Sequence, residues 1–234
     1  MTTFHRFVRR PVLFATLLSA AAMTAFAANA PALKPFTATY KASYMGLHGT
    51  GTMTLAPVSG DRWKYSLDID SAIAKLSQNT VFEANDGHWK PLSNRDSSML
   101  LIKKTDKQAS YDWERGEARW SGDVKADRAG PVPLHAGDLD AMLVNLAIVR
   151  DVAAGKPLAY RMVDDGRAKQ MRYEVAGKDT VTVAGQSRAA TKVVRTDGNK
   201  QTLLWVVDDI PVPVRILQRK DGEDEMDLQL KSVR

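Results

Sequence analysis

Residues that could bind a metal or attack a substrate are scarce in this sequence and poorly spaced for either task. The sequence contains no cysteine. After residue 27 its histidines are His48, His88 and His135, which lie far apart and have no neighbouring ligand residues at metal-site spacing. The pattern therefore predicts no metal site and no cofactor.

Two glycine-containing segments resemble known motifs without meeting their requirements. Residues 46–51 hold three glycines, but residues 52–55 continue as a strand and not as a helix, so we interpret the segment as a turn with a bulge and not as a phosphate loop. Residues 185–189 lack the second glycine of a nucleophile elbow and are typical of a hairpin turn. We assign no catalytic residue.

Acidic residues cluster at 208–209 and at 221–225, in segments that favour turns. Neither cluster has the glycine and ligand spacing of an EF-hand. We therefore interpret both clusters as solvated turns. A pair of carboxylates for glycoside cleavage could come from any part of the fold, and the sequence selects no pair.

Aromatic residues on predicted strands, with one amide, are the remaining candidates for a binding site. Several aromatic residues fall on inward-facing positions, where a curled sheet could line a hydrophobic cavity. Ordinary burial in the core is the alternative for each of them. The candidate ligand-binding residues are Tyr40, Tyr44, Trp63, Tyr65, Tyr111, Trp113, Asn145 and Trp205.

The element that must organise these residues is a helix predicted at 138–153. Asp138 is suited to the N-cap position, and Gly155 ends the helix. Between these two residues the apolar side chains point in nearly every direction, interrupted by Asn145. The helix is too short for a bilayer, which needs about 20 apolar residues, so we expect a sheet to bury it. Asn145 should then bond to a facing strand or to water, or present its amide to a ligand.

The rest of the chain is patterned for antiparallel strands. Apolar and polar residues alternate at 36–44 and 62–69, and turn residues recur at hairpin spacing up to residue 233. Residues 75–78 could form a short helical turn, and residues 130–137 form a Pro/Gly linker. The prediction is a mainly β fold, with a large curled antiparallel sheet (an open barrel or clam) and one central buried α-helix. Residues 28–234 form a single β-rich domain, in two strand-rich halves joined by the helix.

The first 27 residues have the pattern of a secretory signal peptide. Arg6, Arg9 and Arg10 precede an apolar run at 12–22, and Ala25-Phe26-Ala27 supplies the cleavage motif. An uncleaved anchor is the alternative. We expect a periplasmic protein that begins at Ala28 and has no transmembrane segment after cleavage. Without the three arginines of the leader the net charge falls from +6 to +3, with both signs interleaved, which argues against a nucleic-acid partner.

Three segments together resemble the domain-of-unknown-function 3108 family of exported bacterial proteins. They are the opening at 36–51, the helix at 138–150, and residues 204–216, where a Trp strand, an acidic turn and a Pro-Val-x-Ile strand follow one another. The resemblance covers roughly residues 36–233 and implies no catalytic residue. More distantly, a curled sheet around a helix is similar to periplasmic lipoprotein carriers, which is an analogy of fold.

Three functions from different classes follow from these features. The first is a non-enzymatic periplasmic envelope protein that binds an amphipathic or lipid-like ligand in an aromatic-lined cavity. The second is an interaction or assembly factor for envelope biogenesis, whose protein partner would pair with an exposed sheet edge such as residues 212–218. The third is an enzyme that acts on envelope polysaccharide.

Overall fold

The computed structural model describes residues 33–85 and 87–234, so the predicted signal peptide lies outside the described residues. Within them, fifteen strands surround one α-helix, α1 (Ala141–Ala153). The strands are β1 (Phe36–Tyr44), β2 (Leu47–Ser59), β3 (Arg62–Ser71), β4 (Ala74–Asn85), β5 (His88–Leu100), β6 (Lys103–Asp112), β7 (Glu117–Gly122), β8 (Val132–Pro133), β9 (Ala159–Asp164), β10 (Arg167–Arg172), β11 (Glu174–Val183), β12 (Gln186–Asp197), β13 (Lys200–Val206), β14 (Arg215–Lys220) and β15 (Glu223–Val233).

Thirteen of these strands form one antiparallel sheet that is not closed. Its order is β11-β12-β13-β14-β15-β1-β2-β3-β4-β5-β6-β7-β8, and β9 and β10 pair separately as a hairpin. Strands β11 to β15, which follow α1 and the β9–β10 hairpin, join the sheet beside β1, and the two strand-rich halves meet where β15 pairs with β1. The predicted fold class, a large curled antiparallel sheet with one buried helix, is confirmed.

The alternation of side chains along β1 explains why one face of the sheet is buried. Phe36, Ala38, Tyr40 and Ala42 are buried, and the residues between them are half-buried or exposed. This is the period-two pattern of a strand with one face on the core. Tyr44, at the end of the strand, lies beyond the core and is 52% exposed.

The glycine-rich segment at 46–51 lies mostly inside β2 and not in a turn with a bulge, so that interpretation was wrong. The turn is confined to Met45 and Gly46, and the pairing of β1 with β2 runs without a register shift from Tyr44–Leu47 onwards. Gly49 is required by close packing, because a Cβ atom there would lie 2.3 Å from the carbonyl oxygen of Asp70.

The N-cap of helix α1 lies two residues later than the sequence suggested. Its N-cap is Asp140, whose carboxylate accepts a hydrogen bond from the backbone N–H of Leu143 at 2.9 Å. Asp138 is not the cap. Its carboxylate accepts from the backbone N–H of His135 and pairs with Arg161, which fixes the turn that leads into the helix.

Helix α1 is buried on most sides, as its sequence predicted. The buried positions are Met142, Leu143, Val144, Leu146, Ala147, Ile148, Val149 and Asp151. The C-cap is Ala154, and Gly155 follows with a φ of 61°, the left-handed conformation that suits glycine after a helix. In the described part of the chain, no helix combines the length and apolar character needed to cross a membrane.

Three local expectations are corrected by the sheet. Residues 75–78 lie in β4 and form no helical turn, because they continue the pairing with β3 and β5. Val132 and Pro133, within the expected linker, pair with β7. Residues 212–218 do not form a sheet edge, since β14 lies between β13 and β15, and the edges are β11 and β8.

The fold predicts that the centre of α1 carries much of the stability. Leu143 is fully buried, so Leu143→Ala should lower the free energy of unfolding by about 2–5 kcal/mol through lost burial and a residual cavity. Asn145→Ala, at a half-buried position of the same helix, is the matched control and should cost much less. Urea unfolding followed by circular dichroism measures both, and equal losses for the two variants would contradict the buried arrangement.

Candidate functional site

An open groove of about 580 Å³ lies beside the second half of α1. Its walls come from the start of β1, from α1, from the loop between β13 and β14, and from the end of β15. We call it the helix groove, and its lining residues are Leu33, Lys34, Pro35, Phe36, Leu55, Trp89, Leu146, Val149, Arg150, Ala153, Asp208, Asp209, Ile210, Pro211, Val233 and Arg234. Its volume lies within the range of small-molecule sites in proteins.

The helical wall follows from residue spacing. Leu146, Val149 and Ala153 are separated by three and four positions, so they form one stripe along α1. Leu146 and Val149 are buried at the floor, whereas the small side chain of Ala153 is exposed and leaves space at the end of the stripe. The groove exists because the last turn of α1 leaves the space between β1, the 208–211 loop and the end of β15 unfilled.

The opposite wall is the loop at 208–211, which departs from the sheet between β13 and β14. The backbone N–H of Ile210 donates to the carbonyl of Val207 at 3.0 Å, which closes a tight turn. Pro211 has no backbone N–H to continue the strand pairing. The loop places the buried Ile210 against the groove and leaves Asp208 and Asp209 exposed at its border.

One polar corner is held rigidly at the helix end of the groove. The guanidinium of Arg150 lies 4.3 Å from the ring centre of Trp89. It donates to both carboxylate oxygens of Asp151, at 2.8 and 3.0 Å, and to the carbonyl of Gly87 at 3.0 Å. The hydroxyl of Tyr160 donates to the same buried carboxylate at 3.1 Å. The charge of Arg150 is therefore compensated, and its flat face and Trp89 form a fixed border.

The helix groove combines an apolar floor with a charged border. Its floor is made of aliphatic and aromatic side chains, and its charged groups lie at the border. Among residues 33–85 and 87–234, no three His, Asp or Glu side chains are grouped as metal ligands. Such an arrangement can bury hydrocarbon while charged groups remain at the border.

None of the eight residues proposed from the sequence lines the helix groove. Tyr40 and Tyr65 are fully buried in the main core, where the hydroxyl of Tyr40 donates to the carbonyl of Pro213 at 2.9 Å and that of Tyr65 to the sulfur of Met53 at 3.3 Å. Trp63 is half-buried against the same core. Tyr44 lies near the opposite end of the sheet, beside the β1–β2 turn.

The remaining candidates are distributed over different parts of the sheet. Tyr111 belongs to a second, smaller core, and Trp113 packs against it while donating to the carbonyl of Pro91 at 2.7 Å. Trp205 donates to the carboxylate of Asp179 at 2.9 Å and lies 4.9 Å from the guanidinium of Arg215. Asn145 is half-buried, and its side chain forms no hydrogen bond with another residue of the described segments.

Sequence reasoning missed Trp89, Ala153 and Ile210, and no local signal identifies them. Trp89 sits in a strand next to a turn, as several other aromatic residues do. Ala153 is one of several alanines at the helix end, and Ile210 lies in a turn that was interpreted by its acidic residues. Leu146 and Val149 were recognised in the sequence as apolar helix positions. Because the helix is apolar on nearly every side, nothing in the sequence distinguished the stripe that they form.

A second feature lies at the other end of α1, where the carboxyl groups of Asp96, Asp140 and Asp164 are near enough to affect one another electrostatically. Asp140 accepts from the hydroxyl of Thr80, and Asn94 donates to Asp164 at 3.3 Å and to the hydroxyl of Tyr111 at 3.0 Å. The hydroxyl of Tyr111 in turn donates to the carbonyl of Val163 at 3.0 Å. This network attaches the start of the helix and the hairpin to strands β4, β5 and β6.

Burial and mutual repulsion raise the pKa values of these carboxyl groups. Burial raises the pKa of Asp140 to about 6, against the opposing effect of its hydrogen bonds. Burial, followed by the charges of Asp140 and Asp96, raises the pKa of Asp164 to about 7. The pKa of Asp96 is also raised, chiefly by burial.

Comparison with known proteins supports the family resemblance and the fold. Residues 36–229 match the family described as protein of unknown function (DUF3108). No curated protein matches the sequence. The crystal structure of a β-barrel-like protein of the domain of unknown function DUF1849 from Brucella abortus is similar over 86% of this chain and 97% of that one. The sequence identity is 12% and the TM-score is 0.51, so this similarity concerns the fold alone.

Two further structures are similar at lower scores. MucB matches with a TM-score of 0.36 and 14% identity, over 86% of this chain and 52% of MucB. The complex of MucA with MucB from Pseudomonas aeruginosa matches with a TM-score of 0.39 and 16% identity, over 86% of this chain and 51% of that one. This chain thus spans about half the length of MucB, and the scores establish no common fold.

The raised pKa values predict that stability falls as the pH rises. Asp140 and Asp164 bind a proton more tightly in the folded protein than in the unfolded chain, where the pKa of Asp is about 3.9. Their stabilising contribution is complete below about pH 4 and is lost as the pH rises through about 6 to 7. Asp164→Asn should therefore flatten the decline of melting temperature over this range.

Differential scanning fluorimetry across this pH range measures the effect. Asp221→Asn, in the exposed turn between β14 and β15, removes a carboxylate without touching the network and should leave the slope unchanged. An identical slope for Asp164→Asn and the unaltered protein would refute the proposed titration.

Proposed function

This chain belongs to the DUF3108 family of proteins of unknown function, and we propose that it is a non-enzymatic periplasmic protein that binds the apolar chain of an amphipathic, lipid-like molecule. The observation that carries the proposal is the helix groove, with its apolar floor and charged border. The aromatic residues chosen from the sequence are not part of its wall, so the ligand is held mainly by aliphatic side chains together with Phe36 and Trp89.

The groove favours an extended chain over a compact ligand. It is open to solvent, its floor is formed by Phe36, Leu55 and the stripe of α1, and the charged side chains of Lys34 and Arg234 lie at its border together with Asp208 and Asp209. A hydrocarbon chain in contact with this floor gains burial without having to satisfy polar groups, while a polar head group can remain in solvent at the border. The border carries both signs of charge, which suits a head group that is itself polar or zwitterionic.

The proposed periplasmic localisation rests on the first 27 residues. The basic start, the apolar run at 12–22 and the Ala25-Phe26-Ala27 motif support export and cleavage. Protein isolated from the cell envelope should therefore have an intact mass that corresponds to a chain beginning at Ala28. A retained Met1 in the envelope fraction would contradict this part of the proposal.

The groove predicts that affinity depends on the length of the apolar chain. Burial of each methylene contributes about 0.8 kcal/mol, so each added carbon should strengthen binding about fourfold until the groove is filled. Fatty acids of about eight to fourteen carbons, kept below their micelle concentrations, are suitable probes for isothermal titration calorimetry.

A pair of neighbouring variants tests whether binding occurs in the groove. Ala153→Trp fills the open end of the stripe without removing any buried side chain, and should abolish binding of the longer probes. Ala154→Trp adds the same side chain at an exposed position that does not line the groove and should bind as the unaltered protein does. Equal binding by both variants, or affinity that is independent of chain length, would overturn the proposal.

A further inference from the structure

Two hairpin turns at the opposite end of the sheet from the helix groove expose an apolar surface. Because consecutive strands are antiparallel, the β1–β2, β3–β4 and β5–β6 turns lie at one end of the sheet, while the groove residues Phe36, Leu55 and Trp89 lie toward the other end. We call the exposed surface the apolar tip. Its residues are Ile73, Met99, Leu100, Leu101 and Ile102.

The apolar tip is one continuous structure formed by two turns. The β3–β4 and β5–β6 turns are neighbours because Ala74 pairs with Leu100. They are also joined directly, since the backbone N–H of Leu101 donates to the carbonyl of Ile73 at 2.9 Å. The tip is therefore fixed in shape by the backbone, although its side chains have no core to pack against.

The degree of exposure at the tip is unusual for large aliphatic side chains. Leu101 is 66% exposed and Ile102 is 100% exposed, and the other three members are each more than two-fifths exposed. Single exposed apolar residues are common on soluble proteins, but a contiguous run of them is typical of a surface that contacts another apolar phase. None of these residues contributes to either hydrophobic core of the described chain.

Two lysines on β6 lie immediately behind the apolar tip. Residues 99–105 contain two lysines and no acidic residue, and both Lys103 and Lys104 are exposed. They open β6 directly after Ile102, and their neighbours across the sheet are Leu100 and Met99. At about 3.3 Å per residue along a strand, the ammonium groups are set back from the apex by a few ångströms.

We propose that the apolar tip docks onto the surface of a lipid bilayer that contains anionic lipids. Leu101 and Ile102 enter the boundary of the acyl region, and Lys103 and Lys104 lie at the level of the phosphate groups. A bilayer presents the same two layers in the same order, with hydrocarbon beneath anionic head groups. This docking leaves the helix groove, at the other end of the sheet, directed away from the membrane surface.

Vesicle flotation tests the docking with protein purified after export. Vesicles of zwitterionic phosphatidylcholine are compared with vesicles that also contain anionic phosphatidylglycerol. The unaltered protein should float with the anionic vesicles, and its binding should weaken with added salt. Lys103→Ala and Lys104→Ala should each weaken binding to the anionic vesicles by about fivefold.

The double variant Leu101→Asp/Ile102→Asp removes the apex and should reduce binding about tenfold or more. It should remain folded, because both side chains are exposed and the φ of 54° at Leu101 is better tolerated by Asp. The matched control is Val58→Asp/Val175→Asp, which replaces two exposed aliphatic residues outside the tip and changes the net charge equally. This control should bind nearly as the unaltered protein does.

Three outcomes would overturn the proposal. They are the absence of binding by the unaltered protein on both vesicle types, an equal loss of binding by the two double variants, and, in analytical ultracentrifugation without vesicles, a dimer that only Leu101→Asp/Ile102→Asp abolishes. The last result would assign the apolar tip to contact with a second copy of the chain. Each outcome is independent of fatty-acid binding in the helix groove, so failure of one proposal is distinguishable from failure of the other.

Discussion

Burial of α1 against the curled sheet is the constraint on which the rest of the structure depends. A thirteen-stranded sheet that does not close leaves one face lined with apolar side chains, and α1 supplies seven buried apolar side chains to the main core on that face. Because nearly every side of the helix is apolar, it can make contacts in several directions at once. The two strand-rich halves of the chain are consequently joined both by the pairing of β15 with β1 and by a shared core around one helix.

Different interactions attach the two ends of the helix. At its start, Asp140 caps α1 and binds Thr80 of β4, in a site where burial favours the protonated carboxyl group. At its end, the buried Asp151 is satisfied by Arg150 and Tyr160. The raised pKa of Asp140 predicts that the first attachment weakens as the pH rises, and the second attachment orients the polar corner of the helix groove. The groove is thus a consequence of where the helix stops and of how its last turn is held.

Much of the architecture could be predicted because it depends on local periodicity. The alternation in β1 and the apolar length of α1 are both readable from neighbouring residues. The cap was misplaced because Asp138 and Asp140 are equally suited to capping, and the choice depends on Arg161 and Thr80, which are distant in sequence. The glycines at 46–51 were misread because the requirement for Gly49 comes from the backbone of β3.

The candidate site could not be predicted either, because it depends on contacts between residues that are distant in the sequence. Inward-facing aromatic residues such as Tyr40 and Tyr65 were expected to line a cavity, but they are fully buried in the main core. The groove is assembled from segments near residues 35, 89, 150 and 210, and no pattern within any one of them indicates that they meet. The apolar run at 99–102 is visible in the sequence, but its pattern is that of an ordinary strand end, and only the structure shows that its side chains are exposed.

The central claim is that an apolar chain binds beside the last turns of α1. Hydrogen–deuterium exchange of the protein with and without a saturating fatty-acid probe tests this claim most directly. We expect slower exchange in peptides that cover residues 33–36, 146–155 and 208–212, with no change at the hairpin turns near residues 73 and 101. Unchanged exchange in the groove segments, or protection confined to the region of Tyr111 and Trp113, would contradict the account.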